Sequence, residues 1–64
     1  MGMQMYEQAA DAYTALIASP AKRDAREVTA LHGNRAAAHM ALRRFQQAVD
    51  DCTVALTQVL GDPL

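Results

Sequence analysis

The feature that most constrains the fold is an internal repeat, in which residues 6–17 and residues 45–56 carry the same pattern 39 residues apart. Four positions are identical: Gln8, Ala9, Asp11 and Thr14 match Gln47, Ala48, Asp50 and Thr53. Five further pairs are apolar in both segments: Tyr6 with Phe45, Ala10 with Val49, Tyr13 with Cys52, Leu16 with Ala55, and Ile17 with Leu56. Any two amphipathic helices share spacing, but the identities favour a true repeat. A repeat of this length that contains two helices is typical of stacked helical hairpins.

The repeated segments predict the first and third of three helices. Their apolar positions open with steps of three, one, three, three and one residues, which places them on one helical face. The first helix is predicted over residues 3–18, because Pro20 disfavours helical geometry at Ser19. The third is predicted over residues 45–60, with Gly61 as its C-cap and Pro63 beyond. Its expected apolar face consists of Phe45, Ala48, Val49, Cys52, Ala55, Leu56, Val59 and Leu60.

A middle helix is predicted over residues 25–42, after a linker of residues 19–24. Asp24 has the pattern of an N-cap, with Glu27 three residues later as its capping-box partner. Ser19 followed by Pro20 is a rival start for the same helix. Gly33 lies inside this helix, where glycine costs roughly 1 kcal/mol relative to alanine and often marks a close approach by another backbone or a ligand. The sequence therefore predicts an all-α chain.

Length and composition limit how such a chain can be stabilised. A domain near 64 residues buries only about 60% of the surface that its unfolded form exposes. Cys52 is the only cysteine, so no intrachain disulfide can form, and no cluster offers four zinc ligands. The remaining sources of stability are close helix packing, association with a second copy, and further helices of a larger domain. We expect a homo-oligomer, formed through the first helix or the outer face of the third.

Charge and hydropathy argue against several partners. The formal net charge of −1 gives no drive toward nucleic acid or membranes. No stretch approaches the roughly 20 apolar residues of a membrane span, and the N-terminus lacks the features of a signal peptide. The basic residues are diluted by acidic ones and have no stacking aromatics beside them. A single cysteine and no export signal predict a cytoplasmic protein.

Residues 31–55 resemble a tetratricopeptide repeat (TPR), a motif of two antiparallel helices. The small residue of the first helix, the aromatic residue at the start of the second, and the two following alanines are matched by Ala36, Phe45, Ala48 and Ala55. His39, Cys52 and Arg43 depart from the pattern, since the family usually has tyrosine, an aromatic residue and glycine there. The resemblance implies a partial α-solenoid, in which residues 3–18 are helix B of a first repeat and residues 25–42 and 45–60 are helices A and B of a second. It assigns helix packing to Tyr6, Ala9, Tyr13, Ala36, Phe45, Ala48, Cys52 and Ala55.

The segment Leu31-His32-x-Asn34-Arg35-Ala36-Ala37 is most similar to co-chaperone TPR domains of the heat-shock-organising and myosin-chaperone type. Those domains bind the C-terminal tails of cytosolic chaperones through a clamp for the terminal carboxylate. The resemblance places Asn34 at one clamp asparagine, whereas the other clamp residues belong to helices outside these 64 residues. It implies that a peptide contacts Ala30, Gly33, Asn34, Ala37, Met40 and Ala41, with charge-assisted contacts from Arg35 and Arg44.

Two other functions stay open: a structural TPR fragment that associates with itself and binds no peptide, and a regulatory TPR segment of a larger enzyme. We expect no catalytic centre and no cofactor or metal in the chain itself. His32 and His39 share a helical face but lack a third ligand, and we expect them to be packed or half-exposed. Cys52 is expected to be a buried small hydrophobe. Asp50 and Asp51 are adjacent, so they point in different directions and cannot form an acid–base pair.

Overall fold

The computed structural model describes residues 2–60, which form three helices: α1 (Gly2–Ala18), α2 (Ala25–Ala41) and α3 (Phe45–Leu60). No strand occurs within these residues, so the predicted all-α class is confirmed. The observed helices differ from the predicted ones by one residue at the start of α1 and one at the end of α2. The predicted C-cap at Gly61 and the proline after it lie outside the described residues.

The helices form a single layer with α2 in the middle. Helix α2 packs against both neighbours, whereas no Cα atom of α1 lies within 8 Å of a Cα atom of α3 in the described chain. The Cα positions span 41 × 24 × 13 Å, and the short dimension corresponds to little more than one helix. Helices α1 and α2 run antiparallel, because Glu7 near the start of α1 meets Arg44 just after α2. Helices α2 and α3 also run antiparallel, because the first turns of α2 lie beside Gln58 and Val59 near the end of α3.

The connection between α1 and α2 is held by local hydrogen bonds. The Arg23 guanidinium donates to the Leu16 carbonyl from Nε and Nη2 at 3.3 and 2.9 Å, satisfying an acceptor in the last turn of α1. Asp24 Oδ1 accepts from the Glu27 amide at 2.9 Å, and Glu27 Oε1 accepts from the Asp24 amide at 3.3 Å. The predicted capping box is confirmed, and α2 does not begin at the rival Ser19-Pro20 start.

The turn between α2 and α3 depends on a left-handed residue. Arg43 has φ of 62°, a conformation that glycine adopts without strain and other residues rarely adopt. This geometry lets the Arg44 amide reach the His39 carbonyl at 2.8 Å and the Arg43 amide reach the Met40 carbonyl at 3.0 Å. The pair of bonds is a Schellman motif, which satisfies carbonyls at the end of α2. Arg43 thus occupies the left-handed position of a helix C-terminal turn that usually has glycine.

The core is made of small side chains. Among the residues whose side chains the structure describes, the buried apolar ones are Ala10, Ala36, Ala38 and Ala48, and no large side chain is fully buried. These alanines allow the three helices to approach closely, while most of the large apolar side chains lie at the edges of the layer. The chain therefore gains its packing from close helix contact rather than from a thick apolar interior.

The residues expected to pack between helices fall into three groups. Ala36 and Ala48 are buried, and Ala9, Tyr13 and Ala55 are half-buried. Tyr6, Phe45 and Cys52 are exposed, so the prediction that Cys52 is a buried hydrophobe is wrong. The physical reason is the single layer: among the described helices α3 contacts only α2, and the contact uses the side of α3 that carries Ala48 and Asp51. Apart from the half-buried Ala55, the rest of the apolar face of α3 is exposed to solvent.

Candidate functional site

One face of α2 remains open along its length, although α2 is the central helix. The open residues are Ala30, Gly33, Asn34, Ala37 and Met40, which we call the α2 stripe. Their spacing of three or four residues places them on one side of the helix. The buried Ala36 and Ala38 lie on the flanks that face the neighbouring helices. Ala41, the last residue assigned to this face from the sequence, is half-buried.

The α2 stripe combines small side chains with one amide. An added Cβ at Gly33 would meet nothing within 4 Å, so no other part of the described chain approaches this glycine. The close approach that a helical glycine often marks is absent there. Asn34 makes no side-chain hydrogen bond with any described residue, and its amide can donate and accept. Met40 is 54% exposed and supplies a flexible apolar contact at the far end.

An open groove of about 710 Å³ adjoins the N-terminal end of the stripe. It lies between the first turns of α2 and the last turns of α3 and is lined by Asp24, Ala25, Arg26, Thr29, Ala30, Gln58 and Val59. Arg26 lies four residues before Ala30, so its side chain extends the stripe by one turn. Sequence reasoning missed this residue, although the same spacing continued one turn toward the N-terminus would have found it. Gln58 and Val59 could not be assigned to this groove from the sequence, because their position beside α2 depends on how α3 packs against it.

Arg35 does not lie on the α2 stripe with the other residues assigned to peptide binding. Its Nε donates to Asp51 Oδ2 at 2.8 Å and its Nη2 to Asp51 Oδ1 at 2.7 Å. Its Nη1 donates to Thr14 Oγ1 at 2.9 Å, and that hydroxyl donates to the Ala10 carbonyl at 2.8 Å. The guanidinium therefore joins all three helices. The sequence-based role of Arg35 in peptide contact is corrected to an internal one.

The environment of this ion pair stabilises the charged forms. The hydrogen bonds from Arg35 lower the pKa of Asp51, while burial acts in the opposite direction. The charge of Arg35 and the imidazoles of His32 and His39 lower the Asp51 pKa further. The hydrogen bonds to Asp51 likewise raise the pKa of Arg35. Both groups thus remain ionised at neutral pH and hold α2 against α3.

The two histidines occupy different positions beside this pair. His39 is buried, with Nε2 3.6 Å from Asp51 Oδ2. Its Nδ1 has no hydrogen-bond partner among the described residues. His32 is half-buried, and its Nδ1 lies 3.0 Å from the Val28 carbonyl. No group of three His, Cys, Asp or Glu side chains suited to a metal ion occurs in residues 2–60.

Two further predictions concern charged side chains, those of the Asp50–Asp51 pair and of Arg44. Asp50 is exposed whereas Asp51 is buried, so the prediction that the two point in different directions is confirmed. Arg44, assigned an acidic contact in a bound peptide, lies 3.8 Å from Glu7 instead, with both side chains partly exposed. None of the described helices is long and apolar enough to cross a membrane.

No protein-family model, curated protein or solved structure matches the chain.

Proposed function

We propose that this chain is a non-catalytic binding module of TPR type, which holds an extended peptide or a segment of a partner protein along the α2 stripe. The observation that carries the proposal is the exposure of this stripe on a helix packed from both sides. This face is already formed without a ligand, because it lies on a helix that packs against both α1 and α3. A ligand bound there would need little reorganisation of the protein, which lowers the entropic cost of binding.

The chemistry of the stripe suits an extended, acidic peptide. Gly33 and Ala37 leave room for a peptide backbone, and the Asn34 amide can pair with a backbone group or a carboxylate. Arg26, at the groove end, makes no ion pair with a described residue, so its guanidinium is available to an acidic side chain. The resemblance to co-chaperone TPR domains favours the carboxyl-terminal tail of a cytosolic chaperone as the ligand.

The test is a titration of the 64-residue chain into a fluorescein-labelled acidic pentapeptide with a free terminal carboxylate, followed by fluorescence anisotropy. We expect saturable binding that Asn34→Ala weakens by at least about tenfold, since a hydrogen bond to a charged group is worth roughly 1.5–3 kcal/mol. Arg26→Ala should weaken binding and reduce its dependence on salt.

Two controls separate this site from unspecific attraction. Gln8→Ala removes an exposed amide from α1 and should leave the affinity unchanged. A peptide of the same sequence with an amidated C-terminus should bind more weakly if Asn34 contacts the carboxylate. Absence of binding by the unmutated chain, or equal affinity for the chain with Asn34→Ala, would contradict the proposal.

A second candidate function is self-association without a peptide ligand. It is supported by the large apolar side chains left at the edges of the helical layer. They include Tyr6 and Leu16 on α1 and Phe45, Val49 and Leu56 on α3, all more than 40% exposed. Apolar surface of this extent on so small a chain is typical of a surface that meets another protein.

A further inference from the structure

The exposed apolar residues of α3 follow a heptad spacing. Phe45, Val49, Cys52, Leu56 and Val59, which we call the α3 stripe, are separated by steps of four, three, four and three residues. Steps of this kind average 3.5 residues and mark the contact seam of a two-stranded coiled coil. Every member is exposed, and Phe45, Val49, Leu56 and Val59 are 55%, 57%, 59% and 67% exposed. The stripe runs along nearly the whole length of α3, from Phe45 to Val59.

The internal repeat indicates that this face is suited to packing against another helix. By the 39-residue offset, Val49, Cys52 and Leu56 correspond to Ala10, Tyr13 and Ile17 of α1. Those residues of α1 are buried or half-buried, and α2 is the only helix that α1 contacts in the described chain. The equivalent face of α3 has the same apolar character but no helix against it.

The distribution of charge around this face favours a second copy of the chain as its occupant. The positions that flank the stripe are uncharged, namely Gln46, Ala48, Thr53 and Ala55. Two copies of the stripe can therefore meet without opposing like charges. The last turn of α3 contains no basic residue, so the partial negative charge of the helix dipole at this end is not offset within the helix itself. Arg43 is exposed at the opposite end and makes no ion pair with a described residue.

We propose that the α3 stripe is a homodimer interface, on which the α3 helix of a second copy packs antiparallel with its own α3 stripe. In this arrangement, Arg43 of each copy lies beside the negative C-terminal end of the other α3, whereas a parallel pair would bring the two Arg43 side chains together. In an antiparallel coiled coil, the a positions of one helix lie opposite the d positions of the other. Phe45 of one copy then faces Leu56 of its partner, and Val49 faces Cys52.

The proposal specifies the surface for self-association and does not depend on peptide binding at the α2 stripe. The two stripes lie on different helices, although Val59 of the α3 stripe also lines the groove beside the α2 stripe. The variants at Val49, Leu56 and Asn34 each change one surface and leave the other intact. The interface spans 16 residues, about 24 Å of helix at 1.5 Å per residue, and so the dimer should form and dissociate with concentration rather than being permanent.

The first experiment is sedimentation velocity of the 64-residue chain over a wide concentration range. We expect a dimer fraction that rises with concentration. Val49→Lys and Leu56→Lys each place a charge in the seam and should weaken dimerisation at least tenfold, with helicity by circular dichroism unchanged because both side chains are exposed in the monomer. The matched control is Val54→Lys, an exposed valine of α3 outside the stripe, which should dimerise like the unmutated chain.

The second experiment tests orientation and proximity. Arg43→Asn, in which asparagine tolerates the left-handed turn, should weaken an antiparallel dimer by about twofold to fivefold at low salt. A short bismaleimide should join Cys52 of two copies rapidly. The variant with Cys52→Ser and Asn34→Cys, which moves the thiol to the α2 stripe, should form little covalent dimer.

Three results would overturn the proposal: a monomer at every concentration, a dimer unaffected by Val49→Lys and Leu56→Lys, or a dimer strengthened by Arg43→Asn. A monomer at every concentration would mean that the α3 stripe does not bind a second copy of this chain. The third would show a parallel pair. Unchanged dimerisation with Asn34→Ala alongside lost peptide binding would separate this interface from the proposed peptide site.

Discussion

Arg35 and Asp51 form a two-pronged ion pair across the α2–α3 contact, with two donor–acceptor distances of 2.8 and 2.7 Å. Asp51 is only 3% exposed, although it is a charged residue in a core made of alanines. The remaining guanidinium nitrogen reaches Thr14 on α1, so one side chain contacts all three helices. These hydrogen bonds fix how the three helices are aligned, in a chain whose described core has no large, fully buried side chain to do so.

Arg35→Ala should lower the free energy of unfolding by about 3 kcal/mol, because it leaves the buried Asp51 carboxylate without its partner. That is a large share of the stability of a small domain. Urea unfolding followed by circular dichroism measures the change. The matched control is Arg44→Ala, whose partner Glu7 lies 3.8 Å away at the surface, and which should cost less than about 0.5 kcal/mol. Equal effects of the two substitutions would mean that the buried pair adds nothing.

The stability of the chain should fall at acid pH because of Asp51. Its pKa is lowered in the folded state, so the folded chain binds the proton less readily than the unfolded chain. The contribution is fully present above the unfolded pKa of about 3.9 and is lost as the pH falls through the lower folded value. Unfolding free energies measured from pH 7 down to acid should decline below about pH 4. Asp51→Asn should flatten this decline, and an equally steep decline in that variant would assign it to other carboxylates.

Arg43→Gly should stabilise the α2–α3 turn. Arg43 adopts φ of 62°, where a side chain costs about 1–2 kcal/mol, and glycine removes that strain at some cost in unfolded-chain entropy. We expect a net gain of about 0.5–1 kcal/mol in thermal or urea unfolding. Arg43→Val places a β-branched residue in the same conformation and should destabilise the chain. A loss of stability in the glycine variant would show that the arginine side chain holds the turn by contacts of its own.

Gly33→Ala should raise the unfolding free energy by about 1 kcal/mol, because the glycine lies inside α2 and an added Cβ meets nothing within 4 Å. The converse change at a neighbouring exposed position, Ala30→Gly, should lower the unfolding free energy by a similar amount. Thermal unfolding by circular dichroism compares the two. If Gly33→Ala proves destabilising, α2 must require the glycine for a backbone geometry that its neighbours do not share.

The helices were predictable because their signals are local. The spacing of Tyr6, Tyr13 and Ile17, the break at Pro20 and the Asp24 cap each depend on a few neighbouring residues, and each predicted helix lies within one residue of the observed one. The residues of the α2 stripe were chosen from the family resemblance; the structure shows them exposed, and their role in peptide binding stays a prediction.

The contacts between helices were not predictable in this way. An apolar face as wide as that of α3 does not reveal which part meets a neighbour, and so Phe45 and Cys52 were expected to be packed but are exposed. Arg35 and its partner are 16 residues apart, and nothing in their spacing distinguishes an internal ion pair from two surface charges. Side-chain pairing between helices depends on their relative rotation, which only the folded structure specifies.

Because α1 and α3 do not meet, detachment of α1 from α2 would leave every contact between α2 and α3 in place. It would remove the packing of α1 on α2 and the side-chain contacts of Arg35 with Thr14 and of Arg44 with Glu7. We therefore expect α1 to open separately from the α2–α3 hairpin. Amide protons of α1 should exchange with solvent through a partial opening at a lower free energy than those in the middle of α2. Any partner helix that replaces α1 would find a preformed hairpin ready to receive it.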